Sequence, residues 1–211
     1  MQKAGTTKNS VRGSADIWLD AAYQILVESG VESVKIMTLA NQLKVSRTSF
    51  YWHFSDRDAL LDALVLRWQT HNTGNLIART ELYADTITEA VLNLCDCWVD
   101  PQIFDSRLDF AIRNWAHHSA KLKAIFEETD KARISAIHRM FLRFGFSQAQ
   151  ADIRAHTVYF TQVGYISMMI EETLLTRIER VPAYVERFSG QPPTEAELAR
   201  FSSRHLAAVR A

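Results

Sequence analysis

Residues 36–57 read IMTLANQLKVSRTSFYWHFSDR, and this stretch decides the fold. Leu39, Ala40 and Leu43 put an apolar stripe on a short first helix, and Ala40 is small enough to let a second helix cross closely. Lys44-Val45 makes the turn, with Val45 plugging the gap between the two helices. Ser46 stands where an N-cap is wanted, its hydroxyl free to accept a backbone N–H. The second helix, from Arg47 to about His53, buries Phe50 and turns Arg47, Thr48, Ser49, Tyr51 and Trp52 outward. Ser55-Asp56-Arg57-Asp58 opens a further helix, with Ser55 as the expected N-cap and acids in the first turn matching the helix dipole. The pattern is that of a helix-turn-helix, whose second helix has the dimensions to enter a DNA major groove.

Upstream, Ile17, Trp18, Ala21, Ala22, Ile25 and Leu26 recur at helical spacing from about Ser14 or Ala15 to Ser29, with Asp16, Asp20, Gln24 and Glu28 opposite. Gly30 supplies the stop. Residues 1–13 are polar and basic and read as a flexible basic tail. Downstream of the turn, Leu60, Leu61, Leu64, Val65 and Trp68 form one buried face, and that helix is expected to run past Thr70. Residues 14–68 are therefore read as one small domain and residues 69–211 as a second, larger helical one.

In the second domain, Ile87–Trp98, Leu108–Trp115 and Leu122–Phe144 carry helical periodicity, closed by Asp100-Pro101 and Gly145. Ser147 caps a long helix expected over about 148–172. Its apolar arc (Ala151, Ala155, Val158, Tyr159, Tyr165, Ile166, Met169, Ile170) is wide enough to bury more than one face, in a core or against another subunit. Pro182, Gly190, Pro192 and Pro193 punctuate the chain beyond it, and Thr194 caps a terminal helix ending near Val209. No strand pattern, repeat or low-complexity segment is apparent. The expected fold class is all-α: an N-terminal three-helix helix-turn-helix domain followed by a larger helical bundle.

Bulk properties narrow the function classes. The hydrophobic fraction, 47%, is that of an ordinary globular chain. No apolar run approaches membrane-spanning length, and the first residues lack a secretory apolar core, so no membrane partner is expected and the location is read as cytoplasmic. The formal net charge is zero, yet Asp and Glu are absent from Ser33 to Ser55, where acids would repel phosphate. Cys95 and Cys97 sit one residue apart on a helix and diverge by roughly 200°, which disfavours a mutual disulfide and splits any thiolate pair, even with His117-His118 nearby. No metal and no cofactor are expected. Glu171-Glu172 point about 100° apart on a helix, and no phosphate loop, nucleophile elbow or HExxH motif occurs, so an enzyme is not expected. Trp115, Tyr159 and Gln162 are read as lining a ligand site, because a glutamine within an apolar face needs a partner, from a ligand or another helix.

LANQLKVSRTSFYWHFSDRDALLDAL, residues 39–64, closely resembles the DNA-binding domain of the tetracycline-repressor (TetR) family of bacterial regulators. The resemblance spans about Ile17–Trp68, with Ala21-Ala22 and Gly30 in their expected places, and beyond that is one of architecture only. It implies a homodimer that places one recognition helix in each half of a palindromic double-stranded DNA operator, released by a small-molecule effector bound in the second domain. It also implies base-edge and phosphate contacts from Arg47, Thr48 and Ser49, and phosphate contacts from Tyr51, from His53 or Trp52, and from Arg57. Thr38, Lys44 and Ser46 complete the expected DNA-facing set. Three positions depart from the family pattern. Lys44 replaces the usual turn glycine, at a cost of roughly 1 kcal/mol if φ is positive there. Lys35 replaces a capping Ser or Thr, and Met37 stands where a polar or basic residue is common. The competing expectation is a helical ligand-binding or protein-interaction module that has lost specific DNA readout.

Overall fold

A computed structural model describes residues 14–206, and among them every regular element is helical. The elements are α1 (Ala15–Ser29), α2 (Ile36–Leu43), α3 (Arg47–Phe50), α4 (Arg57–Trp68), α5 (Gly74–Glu81), α6 (Ile87–Val99), α7 (Ser106–Ala116), α8 (Ala120–Arg143), α9 (Gln148–Ser167), α10 (Leu174–Ser189) and α11 (Glu195–Leu206). A short 3₁₀ turn, Val31–Ser33, precedes α2. The expected basic tail at residues 1–13 and the expected helix end near Val209 lie outside the described residues.

The caps explain most boundaries. Ser46, Thr86, Asp105, Ser119 and Thr173 each accept an N–H from the residue three positions on. Ser147 and Gln150 form a reciprocal capping box, as do Thr194 and Glu197. At α4 the cap is Asp56, whose Oδ1 accepts from Ala59 N–H at 2.8 Å, and not the expected Ser55. A carboxylate does the same work with the added attraction of the helix dipole. Lys35 precedes α2 without a side-chain cap.

Two boundaries correct the sequence reading. The recognition helix closes at Phe50, and Tyr51–His53 continue as turns. The helix expected over 148–172 ends at Ser167, where Met169 takes φ +51° and Ile170 N–H reaches back to Tyr165 O at 3.2 Å. This is a Schellman stop without glycine, so no residue type announces it. The released chain restarts as α10, which the sequence reading missed because Pro182 lies inside it. An internal proline costs a helix roughly 3 kcal/mol. Burial of Ile178, Val181, Val185 and Phe188 on one face offsets that cost.

Two hydrophobic cores form. One gathers α5, α6 and α8–α11 around Leu92, Ile137, Phe141, Val158, Val185 and Phe201. The other gathers α1–α4 around Trp18, Phe50, Leu60 and Trp68, and takes in Leu108, Ile112, Leu122 and Phe126 from α7 and α8. The Trp68 and Phe126 rings stack at 4.9 Å. The small N-terminal unit is therefore continuous in packing with the bundle. Its last helix also runs unbroken through a π-turn, Gln69–Thr73, into α5, in line with the expectation that it extends past Thr70.

Candidate nucleic-acid interface and ligand cavity

α2 ends in a Schellman motif whose left-handed residue is Lys44, at φ 56° and ψ 41°. Val45 N–H donates to Ala40 O at 3.0 Å, and Lys44 N–H to Asn41 O at 3.2 Å, which fixes the sharp turn into α3. The positive φ anticipated for a glycine-replacing lysine is present. Ser46 then caps α3 through Ser49 N–H, and the Ser49 hydroxyl donates back to Ser46 O at 2.7 Å. Phe50 is fully buried and meets Trp18 edge-on at 5.2 Å, so α3 is seated on α1 by its single apolar side chain.

That seating leaves a polar and aromatic surface outside. Thr38, Lys44, Ser46, Arg47, Thr48, Tyr51 and Trp52 are all exposed, Trp52 at 76%. The Arg47 guanidinium donates to Tyr51 Oη at 2.9 Å and lies over its ring, one helical turn apart, so a cation and a phenol are presented together. Ser49 is half-buried and its hydroxyl is committed within the turn. Of the Trp52–His53 alternatives, Trp52 points out. His53 is half-buried, and its Nε2 is covered without a hydrogen-bond partner among the described residues.

Arg57, expected to contact phosphate, makes its described hydrogen bonds within the protein. Its Nε donates to Val34 O at 2.6 Å and one terminal nitrogen to Val31 O at 2.7 Å. The guanidinium is a strut holding the 3₁₀ turn against the start of α4: its fork of donors reaches Val34 O and adds a second hydrogen bond to Val31 O, which already accepts from Val34 N–H.

The three expected ligand residues do not come together. Trp115 is half-buried and packs on the N-terminal core. Tyr159 is buried, donating to Asp130 at 2.6 Å and accepting from Arg133 at 3.3 Å, with burial first among the causes that push its phenol pKa upward. Only Gln162 lines a cavity. That cavity, about 530 Å³, lies among α1, α6, α7 and the C-terminal half of α9, walled by Trp98, Phe104, Phe110, Ile166 and Met169 and reached by Val27 from α1. A recess of about 50 Å³ toward α10 shares Trp98, Gln162, Tyr165 and Arg177. Periodicity marks Trp98, Phe104, Phe110 and Ile166 as apolar but cannot say that the ends of α1, α6, α7, α9 and α10 leave a gap between them. Cys97 faces the cavity and Cys95 the recess, and burial raises both thiol pKa values, Cys97 to about 12. Among the described residues no three His, Cys, Asp or Glu side chains gather in a metal-binding group.

The cavity floor is wired to the helix-turn-helix. Asp105, the cap of α7, accepts from Leu108 N–H at 2.9 Å and from the Tyr23 hydroxyl of α1 at 2.6 Å. Burial, followed by that carboxylate, raises the Tyr23 pKa to about 12. Asn72 in the π-turn donates to Asp105 O at 2.9 Å and accepts from Asp105 N–H at 3.0 Å. Beside this knot, the fully buried Arg133 of α8 donates to Asp109 Oδ1 and Thr73 Oγ1, both at 2.9 Å. The same Asp109 oxygen accepts Trp68 Nε1–H at 2.8 Å.

Fold and surface together define a helix-turn-helix domain carried on an all-helical, cavity-bearing bundle. Comparison with known proteins finds a family match for the N-terminal part and a likeness of fold for the rest. Residues 19–64 match the family model described as bacterial regulatory proteins, tetR family. The class G tetracycline repressor protein from Vibrio anguillarum is 46% identical over 44 residues, 21% of either chain. The class A repressor of transposon 1721 from Escherichia coli is 36% identical over 61 residues, 29% of this chain and 28% of that one. The chain thus matches less than a third of the length of these relatives. Over nearly the whole chain the likeness is one of fold. A transcriptional regulator of Aquifex aeolicus superposes with TM-score 0.63 at 13% identity, covering 82% of this chain and 98% of that one. A putative TetR-family regulator from Rhodococcus gives 0.62 at 17%, covering 85% and 100%. The N-terminal unit is thus similar to the TetR-family DNA-binding domain, and the chain as a whole shares the fold of these structures. No helix among the described residues is long and apolar enough to cross a membrane.

Proposed function

We propose that this protein is a sequence-specific DNA-binding transcriptional regulator, a repressor that binds a palindromic operator as a homodimer and is released by a small-molecule effector. One observation carries the reading. The capped, Phe50-anchored α3 leaves Arg47, Thr48, Tyr51 and Trp52 outward, in a TetR-family domain, within a segment devoid of Asp and Glu. Arg47 is the candidate for paired hydrogen bonds to guanine O6 and N7. Lys44, Ser46, Tyr51 and Trp52 flank it for phosphate, and Thr38 offers a hydroxyl from α2.

Dimerisation is assigned to α9 and α10. α9 buries Ala151, Ala155, Val158 and Tyr159 in its own core yet exposes Ile153 and Phe160, while Leu175 is exposed on α10. The C-terminal helix, α11, packs one face on α6, with Phe201 and Glu197 buried and His205 paired to Asp96. Release is a population shift. An effector that displaces the Ser106–Phe110 end of α7 displaces Asp105, and with it Tyr23 of α1 and Asn72 at the end of α4. The recognition helices then leave the one-turn spacing, ~34 Å, that an operator requires.

The test is selection of bound sequences from a random DNA pool, followed by binding to the selected site at several salt concentrations. A palindromic consensus and a steep fall in affinity with salt are expected. Arg47→Ala should cost about 1–3 kcal/mol and relax specificity at one position per half-site. Recovery of no consensus would overturn the reading.

A further inference from the structure

Two arginines, Arg107 and Arg177, and two glutamates, Glu171 and Glu172, line the cavity, and they differ in what already holds them. Arg177 is used internally: it donates to Trp98 O at 2.7 Å and to Ile170 O at 3.4 Å. Glu172 is paired with Arg180. Asp105, two residues before Arg107, has its carboxylate taken by Tyr23 and by the α7 cap. Glu171 is exposed at the rim, as Arg107 is, and it too has no ion-pair partner among the described residues, but it lies on the segment between α9 and α10, away from the α7 end that holds Asp105. Arg107 lines the same cavity from the first turn of α7, and among the described residues no carboxylate lies within ion-pair distance of it. Beside that guanidinium, Trp98, Phe104, Phe110, Ile166 and Met169 supply an apolar wall.

We infer that this cavity takes an amphipathic organic acid, its carboxylate on Arg107 and its hydrocarbon or aromatic body against Trp98, Phe104, Phe110 and Ile166. The inference rests on the ligand-responsive reading above and names the ligand class for it. A volume of about 530 Å³ lies within the usual range for small-molecule sites. Guanidinium matches carboxylate with two parallel N–H donors, and apolar walls on one side weaken the competition from water. Arg107 also lies two residues after Asp105, so a bound carboxylate pulls on the end of α7 that holds Tyr23 and Asn72. Polar recognition and the knot to the helix-turn-helix share one helical turn.

The experiment uses the full-length chain and three probes of equal chain length: decanoate, 1-decanol and decylammonium, titrated by calorimetry. Decanoate is expected to bind about 10–100-fold more tightly than decanol, the span of a hydrogen bond to a charged group. Arg107→Gln, at an exposed position, should abolish that preference while leaving decanol binding and the melting temperature unchanged. Equal affinities for decanoate and decanol, or a decanoate preference that survives Arg107→Gln, would overturn the assignment. So would a preference for decylammonium that Glu171→Gln removes. A parallel titration against the protein bound to its selected DNA separates the two proposals. Decanoate binding that leaves DNA affinity unchanged keeps the ligand class and removes effector release. Intact DNA selection with no decanoate binding removes the ligand class alone.

Discussion

The Arg133–Asp109 pair offers the sharpest test of how the two parts of the molecule are joined. Both side chains are 1% exposed, and the pair sits between Trp68 at the end of the helix-turn-helix domain and α7, α8 and α9 of the bundle. Removing one member of a buried ion pair costs about 3–5 kcal/mol; loss of Asp109 strands Arg133, whereas loss of Arg133 leaves Asp109 only the longer contact to Arg113 at 3.9 Å, so that single variant belongs at the lower end. Total stabilities of folded proteins are only about 5–15 kcal/mol, so either Arg133→Met or Asp109→Asn should remove a large part. At roughly 2–4 °C per kcal/mol for a chain of this size, each single variant should melt about 6–20 °C lower. The double variant keeps an amide oxygen for Trp68 Nε1–H and carries neither charge. Its loss should fall short of the sum of the singles by at least about 2 kcal/mol. Urea unfolding followed by circular dichroism at one fixed protein concentration measures all four corners of the cycle. Additivity within about 0.5 kcal/mol would refute the argument that these charges exist for each other.

Three further outcomes are expected. Lys44→Gly relieves a left-handed lysine and should change stability by between zero and about +1 kcal/mol, because glycine also loses more entropy on folding; a lower melting temperature would show that the lysine side chain supports the turn. Burial pushes the Glu197 carboxyl up, but hydrogen bonds from Thr86, Thr194 and Thr88 outweigh it and the net shift is downward. A carboxylate whose folded pKa is depressed stabilises above its unfolded value, and the contribution disappears as pH falls through the folded one. Hydrogen exchange across α11 should therefore accelerate below the ordinary carboxylate range in the wild type, and Glu197→Gln should show faster exchange already at neutral pH. An unchanged rate in the variant would refute it. Cys95 and Cys97, both raised by burial, should resist alkylation by iodoacetamide at pH 7.5 until the chain is unfolded, as read by mass spectrometry; rapid labelling of the folded chain would count against the packing around α6.

What the sequence determined by itself is local. The apolar spacing of α1, the Ser46 cap, the aromatic run after Arg47 and the cap at Ser147 are short-range events. A helix period or a capping hydroxyl acts within one turn, so the letters suffice to read them. A left-handed Lys44 is suggested only by the resemblance to a family that usually has glycine there, and the backbone bears it out. What only the tertiary structure decided is how those helices meet. Pro182 looks like a breaker until Val181, Val185 and Phe188 are seen buried against α6 and α9, and Met169 ends α9 with no letter to announce it. Arg57 has the composition of a phosphate contact but is claimed by two carbonyls more than twenty residues away. Gln162 belongs with Trp98 and Phe104 and not with Trp115 and Tyr159, because a cavity is the space left between elements. Sequence periodicity fixes which face of a helix is apolar, whereas long-range packing fixes what that face meets.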